Sequence, residues 1–225
     1  MKIGKYIDGL YGIDSDIDLV ELKHNSHFMF NNIKEFFQNF KSNFNDQGII
    51  TTKLYSQYNL LLYPFPILHD LYFQISNAFH LAIDDYYGRN IKDRFFMQCW
   101  LNYYKKGEFI DWHGHQPENY LAWHGFLCVD TEPDSYTSYH WPKDPTRKNL
   151  TIDIPSKNGL IVMGISNGDI HKSSEWQFED RPRITIAFDI VPAISFEKHY
   201  AQFNEPRYLN AMRDNQYFVN HWIPI

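Results

Sequence analysis

A chain of 225 residues, 44% hydrophobic and 18% aromatic, carries enough apolar surface for one well-filled core with helical elaborations, and we expect a single domain. Its net charge of -6, from 21 basic and 27 acidic residues with no long run of either, excludes the electrostatic footprint of a nucleic-acid-binding surface. Only two cysteines occur, Cys99 and Cys128, both in apolar strand-like runs; this excludes a disulfide framework and points to buried free thiols in a reducing, cytoplasmic setting.

At the N-terminus, "MKIGKYIDGLYGIDSDID" places charges and glycines where a signal peptide needs an apolar core, and no stretch approaches the length of a membrane span. Residues 1–94 read as a helical support. In "HFMFNNIKEFFQNFKSNF" the spacing of Phe30, Ile33, Phe37, Phe40 and Phe44 predicts a helix with one apolar face, and His24 and His27 read as loop residues before it. A second helix is predicted in "PILHDLYFQISNAFHLAIDDYYG", where Ile67, Leu68, Leu71, Ile75, Phe79, Ala82, Ile83 and Tyr86 repeat the pattern between Pro66 and Gly88.

From residue 95 the texture changes to short apolar runs separated by Gly, Pro, Asn and Asp. The runs are "FFMQCWLNYY", "FIDWHGH", "YLAWHGFLCVD", "YTSYHW", "NLTIDI", "GLIVMGIS", "DIHKSS" and "RITIAFDIVP". Eight short strands are the complement of a jelly roll. The fold class is therefore mainly β with N-terminal helices, its barrel spanning residues 95–192, and residues 193–225 form a C-terminal extension without a clear pattern.

Chemistry concentrates in "FIDWHGHQPEN". In an extended strand Asp111, His113 and His115 point to one side, and three ligand-type side chains on one face suggest a metal. A third histidine, His171, lies far downstream, and Arg183 opens a β-branched strand twelve residues after it. Two ligands from one short segment plus a remote one is how a β-barrel builds an open-sided metal site.

The ordered series Tyr104, Gly107, His113, Gly114, His115, His171 and Arg183 resembles the Fe(II)- and 2-oxoglutarate-dependent oxygenases, particularly the prolyl-4-hydroxylase-like branch, over about residues 98 to 192. The resemblance implies a double-stranded β-helix, a cupin-like jelly roll. It further implies that His113, His115 and His171 hold Fe(II), that Arg183 binds the distal carboxylate of 2-oxoglutarate with possible help from Tyr104, and that O2 is the oxidant. A guanidinium presents a planar fork to that carboxylate, a better match than a lysine point charge. Arg181 competes with Arg183 for this role, and Tyr103 adjoins Tyr104. Arg183 is preferred because it shares its strand face with Thr185, Ala187 and Asp189, a small-residue face suited to lining a cavity.

One departure stands out: the family's carboxylate ligand is His115 here, which leaves the site one positive charge richer. Three arrangements remain open: a three-histidine site, a site recruiting Asp111 or Glu118, or a pseudo-enzyme. His124 and His140 read as structural histidines, and Trp112, Trp123, Tyr136, Tyr139 and Trp141 as packing or pocket lining. The expected function is a dioxygenase that hydroxylates a small molecule or peptide. The alternatives are a keto-acid-independent three-histidine cupin dioxygenase and a non-catalytic β-sandwich that binds a partner.

Overall fold

Among the described residues two antiparallel sheets make the frame, one of seven strands and one of three. The computed structural model describes residues 1–36, 50–55, 58–88, 93–115, 122–147, 149–166, 168–193 and 222–225. In chain order the strands are β1 (Lys2–Ile7), β2 (Leu10–Asp14), β3 (Phe95–Tyr104), β4 (Trp123–Asp130), β5 (Tyr136–His140), β6 (Thr151–Pro155), β7 (Leu160–Ile165), β8 (Ile170–Ser173), β9 (Arg183–Pro192) and β10 (Ile223–Pro224). The helices are α1 (Leu19–Phe36), α2 (Ile50–Lys53) and α3 (Pro66–Tyr87). The large sheet runs β1-β2-β7-β4-β9-β3-β10, and the small one β6-β5-β8.

Helix boundaries follow local chemistry. The Asp18 carboxylate caps α1 by accepting from the backbone N–H groups of Val20 (2.9 Å) and Glu21 (3.0 Å). In α3, Pro66 occupies the first turn, where its missing N–H costs nothing, and Gly88 ends the helix at φ 75°. The α3 stripe of Ile67, Leu68, Leu71, Ile75, Phe79, Ala82 and Ile83 is buried against the large sheet. Burial of each such side chain contributes roughly 1.5–3 kcal/mol.

β9 lies between β4 and β3, and all ten of its residues are buried. Its register pairs Tyr104 with Arg183, Asn102 with Thr185, Trp100 with Ala187 and Gln98 with Asp189 on β3, and Cys128 with Thr185 and His124 with Asp189 on β4. Directly opposed residues share a sheet face. One face therefore presents Ile184, Ile186, Phe188 and Ile190 to the helix-packed core, and the other presents Arg183, Thr185, Ala187 and Asp189 to the barrel interior. A smaller cluster of Leu10, Tyr139, Trp141, Ile154, Leu160 and Val162 joins the two sheets.

Three expectations are corrected. The N-terminal part is not purely helical: β1 and β2 form a hairpin, and β2 pairs with β7 to extend the large sheet. β1 is an edge strand whose exposed residues include Lys2 and Lys5, so it lacks the clean apolar alternation that marks an interior strand. His24 and His27 lie within α1, which begins eight residues before the predicted helix; Phe37, Phe40 and Phe44 of that prediction fall outside the described residues. Finally, "FIDWHGH" is not a strand. Its one bridge joins His113 to His171, with N···O distances of 3.1 and 2.9 Å. The Asp111 carboxylate instead accepts from the N–H of Trp112 (2.8 Å), a local bond that competes with a ladder.

Candidate metal and anion site

The segment leading to the histidines is set by the turn after β3. Gly107 adopts φ 82°, a conformation that favours glycine, and its N–H donates to the Trp176 carbonyl at 2.8 Å. The chain then runs beside β8: Ser173 N–H donates to Ile110 O at 3.0 Å, and the Ile110 N–H donates to Ser173 Oγ at 2.8 Å. These bonds hold His113 and His115 against His171.

The three predicted histidines converge, with ligand-type atoms all within 4.8 Å of one another. Their tautomers follow from their partners. His113 Nδ1 is 2.7 Å from the Asp111 carbonyl oxygen, which can only accept, so Nδ1 carries the proton. His115 Nδ1 is 2.6 Å from Asp189 Oδ1 and donates to it in the same way. With Nδ1 protonated, each ring turns its Nε2 lone pair to a cation when one binds, the arrangement typical of metal-bound histidines. Burial, reinforced by His115, pulls His113 down to about 4, which keeps it unprotonated at neutral pH. Burial also holds His171 well below the ordinary histidine value, with His113 adding to the effect. For His115 burial acts in the same sense, but the charge and hydrogen bond of Asp189 outweigh it and raise its affinity for protons.

A fourth histidine adjoins the three. His124 of β4, read from sequence as structural, stacks on His115 at 4.6 Å and on His171 at 4.8 Å between ring centroids. Its Nε2 is 2.9 Å from Asp169 Oδ2, and Asp169 also lies 3.8 Å from His171 Nδ1. His124, Asp169 and His171 form a second group able to hold a cation, sharing His171 with the first. Burial raises the Asp169 carboxyl, yet His124 and His171 more than reverse this and leave it below the usual range. Asp169 precedes the distal histidine by two residues, the one cue in the sequence; Asp189 was noted only as a member of the Arg183 face.

Of the carboxylates expected as alternative ligands, Asp111 is exposed and bonded to the Trp112 backbone, outside both groups, and Glu118 lies outside the described residues.

Arg183 is 1% exposed. Its guanidinium carbon lies 5.0 Å from the Tyr104 ring centroid, and Nη2 donates to Ser156 Oγ across a long 3.4 Å, while Nε and Nη1 have no hydrogen-bond partner among the described residues. Tyr104 is buried, and burial raises its hydroxyl against the opposing influence of Arg183, Ser173 and Thr185. Arg181, by contrast, is exposed and pairs with Glu132 at 2.6 Å, and Tyr103 turns to the opposite face, stacked on Phe30 at 3.9 Å. Of the aromatic set, Trp123, Tyr139 and Trp141 are buried, and Tyr139 stacks 5.0 Å from His171. Trp112 and Tyr136 are exposed; His140 Nδ1 donates to the Leu150 carbonyl at 2.9 Å and its ring meets Trp112 edge-on at 6.2 Å.

The jelly roll is similar in fold to solved structures of 2-oxoglutarate-dependent enzymes. A prolyl-4-hydroxylase from Pseudomonas putida superposes with a TM-score of 0.51 at 13% identity, over 83% of this chain and 86% of that one. The α-ketoglutarate-dependent carbocyclase SnoK of nogalamycin biosynthesis gives 0.55 at 12% identity over 83% and 80%. The epimerase SnoN, in a complex with Fe3+, α-ketoglutarate and nogalamycin RO, gives 0.53 at 9% identity over 83% and 80%. At such identities the likeness is one of fold. No family model matches the sequence, and neither does any curated protein. No helix among the described residues is long and apolar enough to cross a membrane.

Proposed function

We propose that the protein is an Fe(II)- and 2-oxoglutarate-dependent dioxygenase that hydroxylates a small molecule or peptide. The observation that carries this reading is Arg183. A buried cation with two nitrogens unpartnered among the described residues is costly by itself, and an anion offering paired oxygens would satisfy it. The distal carboxylate of 2-oxoglutarate has that form, and Tyr104 and Ser156 flank the guanidinium. The rival three-histidine cupin, in which the substrate itself chelates iron, fits the neutral ligand set but has no use for such a cation.

The residues suit iron. Imidazole is a suitable ligand for it, and His113 and His115 present Nε2 lone pairs beside His171. The bound metal would supply the electron transfers that let O2 react with a closed-shell C–H compound. Overall, 2-oxoglutarate, O2 and a substrate C–H bond yield succinate, CO2 and the alcohol. Within this scheme Arg183 anchors the keto acid by its far end, and Tyr104 fixes the guanidinium plane. Trp112, with Lys172 Nζ 4.9 Å from its ring centroid, offers an exposed aromatic surface at the histidine segment for substrate.

The test is an anaerobic titration of apo-protein with Fe(II) and then 2-oxoglutarate, observing the visible charge-transfer band of a chelated keto acid. Saturation at one equivalent supports the proposal. Iron binding without the band turns the assignment to the cupin-type reaction, and failure to bind either removes the oxygenase reading.

A further inference from the structure

Replacing a carboxylate ligand by His115 removes one negative charge from the inner ligand set, but the structure holds a carboxylate directly behind that histidine. Asp189 Oδ1 accepts from His115 Nδ1 at 2.6 Å, and its side chain is 9% exposed. The placement is built into the sheet: Asp189 is the β9 residue opposite His124 on β4 and Gln98 on β3, on the interior face that also carries Arg183. The His115 ring is further confined by Trp100, stacked at 6.0 Å, and by His124. No lysine or arginine is paired with Asp189 among the described residues, so its charge is directed through the imidazole rather than cancelled.

We infer that Asp189 is a positioning residue that returns, one imidazole further out, the negative charge and ligand orientation that a carboxylate ligand would supply. The inference rests on the three-histidine metal site proposed above. Through the hydrogen bond, Asp189 fixes the His115 tautomer, aims Nε2 inward and makes the ring a stronger donor to a dication; partners behind metal-bound histidines act in this way. Asp169 stands in a similar relation to His124, at 2.9 Å from Nε2, and lies 3.8 Å from His171 Nδ1. The two buried carboxylates lie on different histidines of one cluster.

The experiment compares wild type with D189N and D189A in Co(II) binding by calorimetry and, for the iron-loaded proteins, in the Fe(III)/Fe(II) midpoint potential. Asn can still accept from Nδ1–H, so D189N removes charge while keeping shape, whereas D189A removes both. We expect Co(II) affinity to fall by about 10- to 100-fold in D189N, at least as far in D189A, and the midpoint potential to rise in both. A merely structural aspartate would lower the melting temperature of the apo-protein and leave the potential of bound iron unchanged, which would overturn the inference. If wild type binds no Co(II), the metal site itself fails and the inference with it; undiminished binding in D189N defeats the inference alone. Should the variants not fold, Zn(II)-loaded wild type with 15N-labelled histidine gives the same decision. A protected His115 Nδ1–H with Nε2 on the metal supports it, and metal on Nδ1 overturns it.

Discussion

Arg183 and Tyr104 are cross-strand neighbours on β9 and β3, and the guanidinium carbon sits 5.0 Å from the tyrosine ring centroid. The contact stabilises a buried cation that has no carboxylate partner among the described residues. Because such a charge opposes folding until its ligand arrives, R183M is expected to melt no lower than wild type as apo-protein while losing 2-oxoglutarate. Removing one partner of a buried charge pair costs about 2–5 kcal/mol, so keto-acid affinity should fall at least about thirtyfold with Co(II) binding retained. Parallel thermal melts and keto-acid titrations check this; a large loss of apo stability with normal 2-oxoglutarate binding would contradict it.

His171 separates metal binding from fold. Its pairing with His113 runs through main-chain atoms, at 3.1 and 2.9 Å, and these bonds survive loss of the ring. Its Nδ1 has no hydrogen bond among the described residues, Asp169 Oδ2 lying 3.8 Å away, so truncation breaks no side-chain hydrogen bond there. H171A should therefore fold, with an unchanged far-ultraviolet spectrum, yet no longer take up one equivalent of Fe(II) or Co(II). Stoichiometric binding at wild-type affinity in H171A would exclude His171 as a ligand.

What was legible in the sequence tracks how local each determinant is. β3 and β9 have the bounds their alternating runs predict, and α3 matches its stripe of apolar residues, because periodicity is written in consecutive positions. The β1 edge of the hairpin was missed because an edge strand need bury little, and "FIDWHGH" was taken for a strand because Asp111 acts through a local bond that alternation does not record. His113, His115, His171 and Arg183 were legible as an ordered series. His124, Asp169 and Asp189 were not, since what brings His124 beside Asp189 is the β4–β9 register, a contact between residues 65 positions apart. The choice of Arg183 over Arg181 was a strand-face argument, and the burial of one and exposure of the other agree with it.

Gly125 occupies the middle of β4, opposite Phe188 on β9 and Met163 on β7. A Cβ there would stand 2.2 Å from the Val162 carbonyl oxygen and 2.6 Å from the Phe188 ring. Neither neighbour can retreat easily, since one is backbone in the sheet and the other is fully buried. Overpacking of this kind typically costs 1–3 kcal/mol, and contact with backbone places G125A at about 3 kcal/mol or more. A urea midpoint equal to that of wild type would show that the two sheet faces have slack at this position.

Cys99 and Cys128 are both fully buried and unpaired, on β3 and β4. Burial raises both thiols, with the charge of Asp189 adding to the effect at Cys99, while Arg183 opposes it at Cys128 without reversing it. The nucleophile is the thiolate, and here it is suppressed twice, by its proton affinity and by lack of access. Ellman's reagent at pH 8 should therefore find no reactive thiol in the native protein and two in guanidinium chloride. The comparison is informative because Cys128 lies beside the Arg183 pocket: thiol reactivity that appears in native protein and disappears when 2-oxoglutarate is added would mean that this pocket opens when empty. Equal protection with and without the keto acid is the outcome expected of a site already formed by the β3, β4 and β9 pairing.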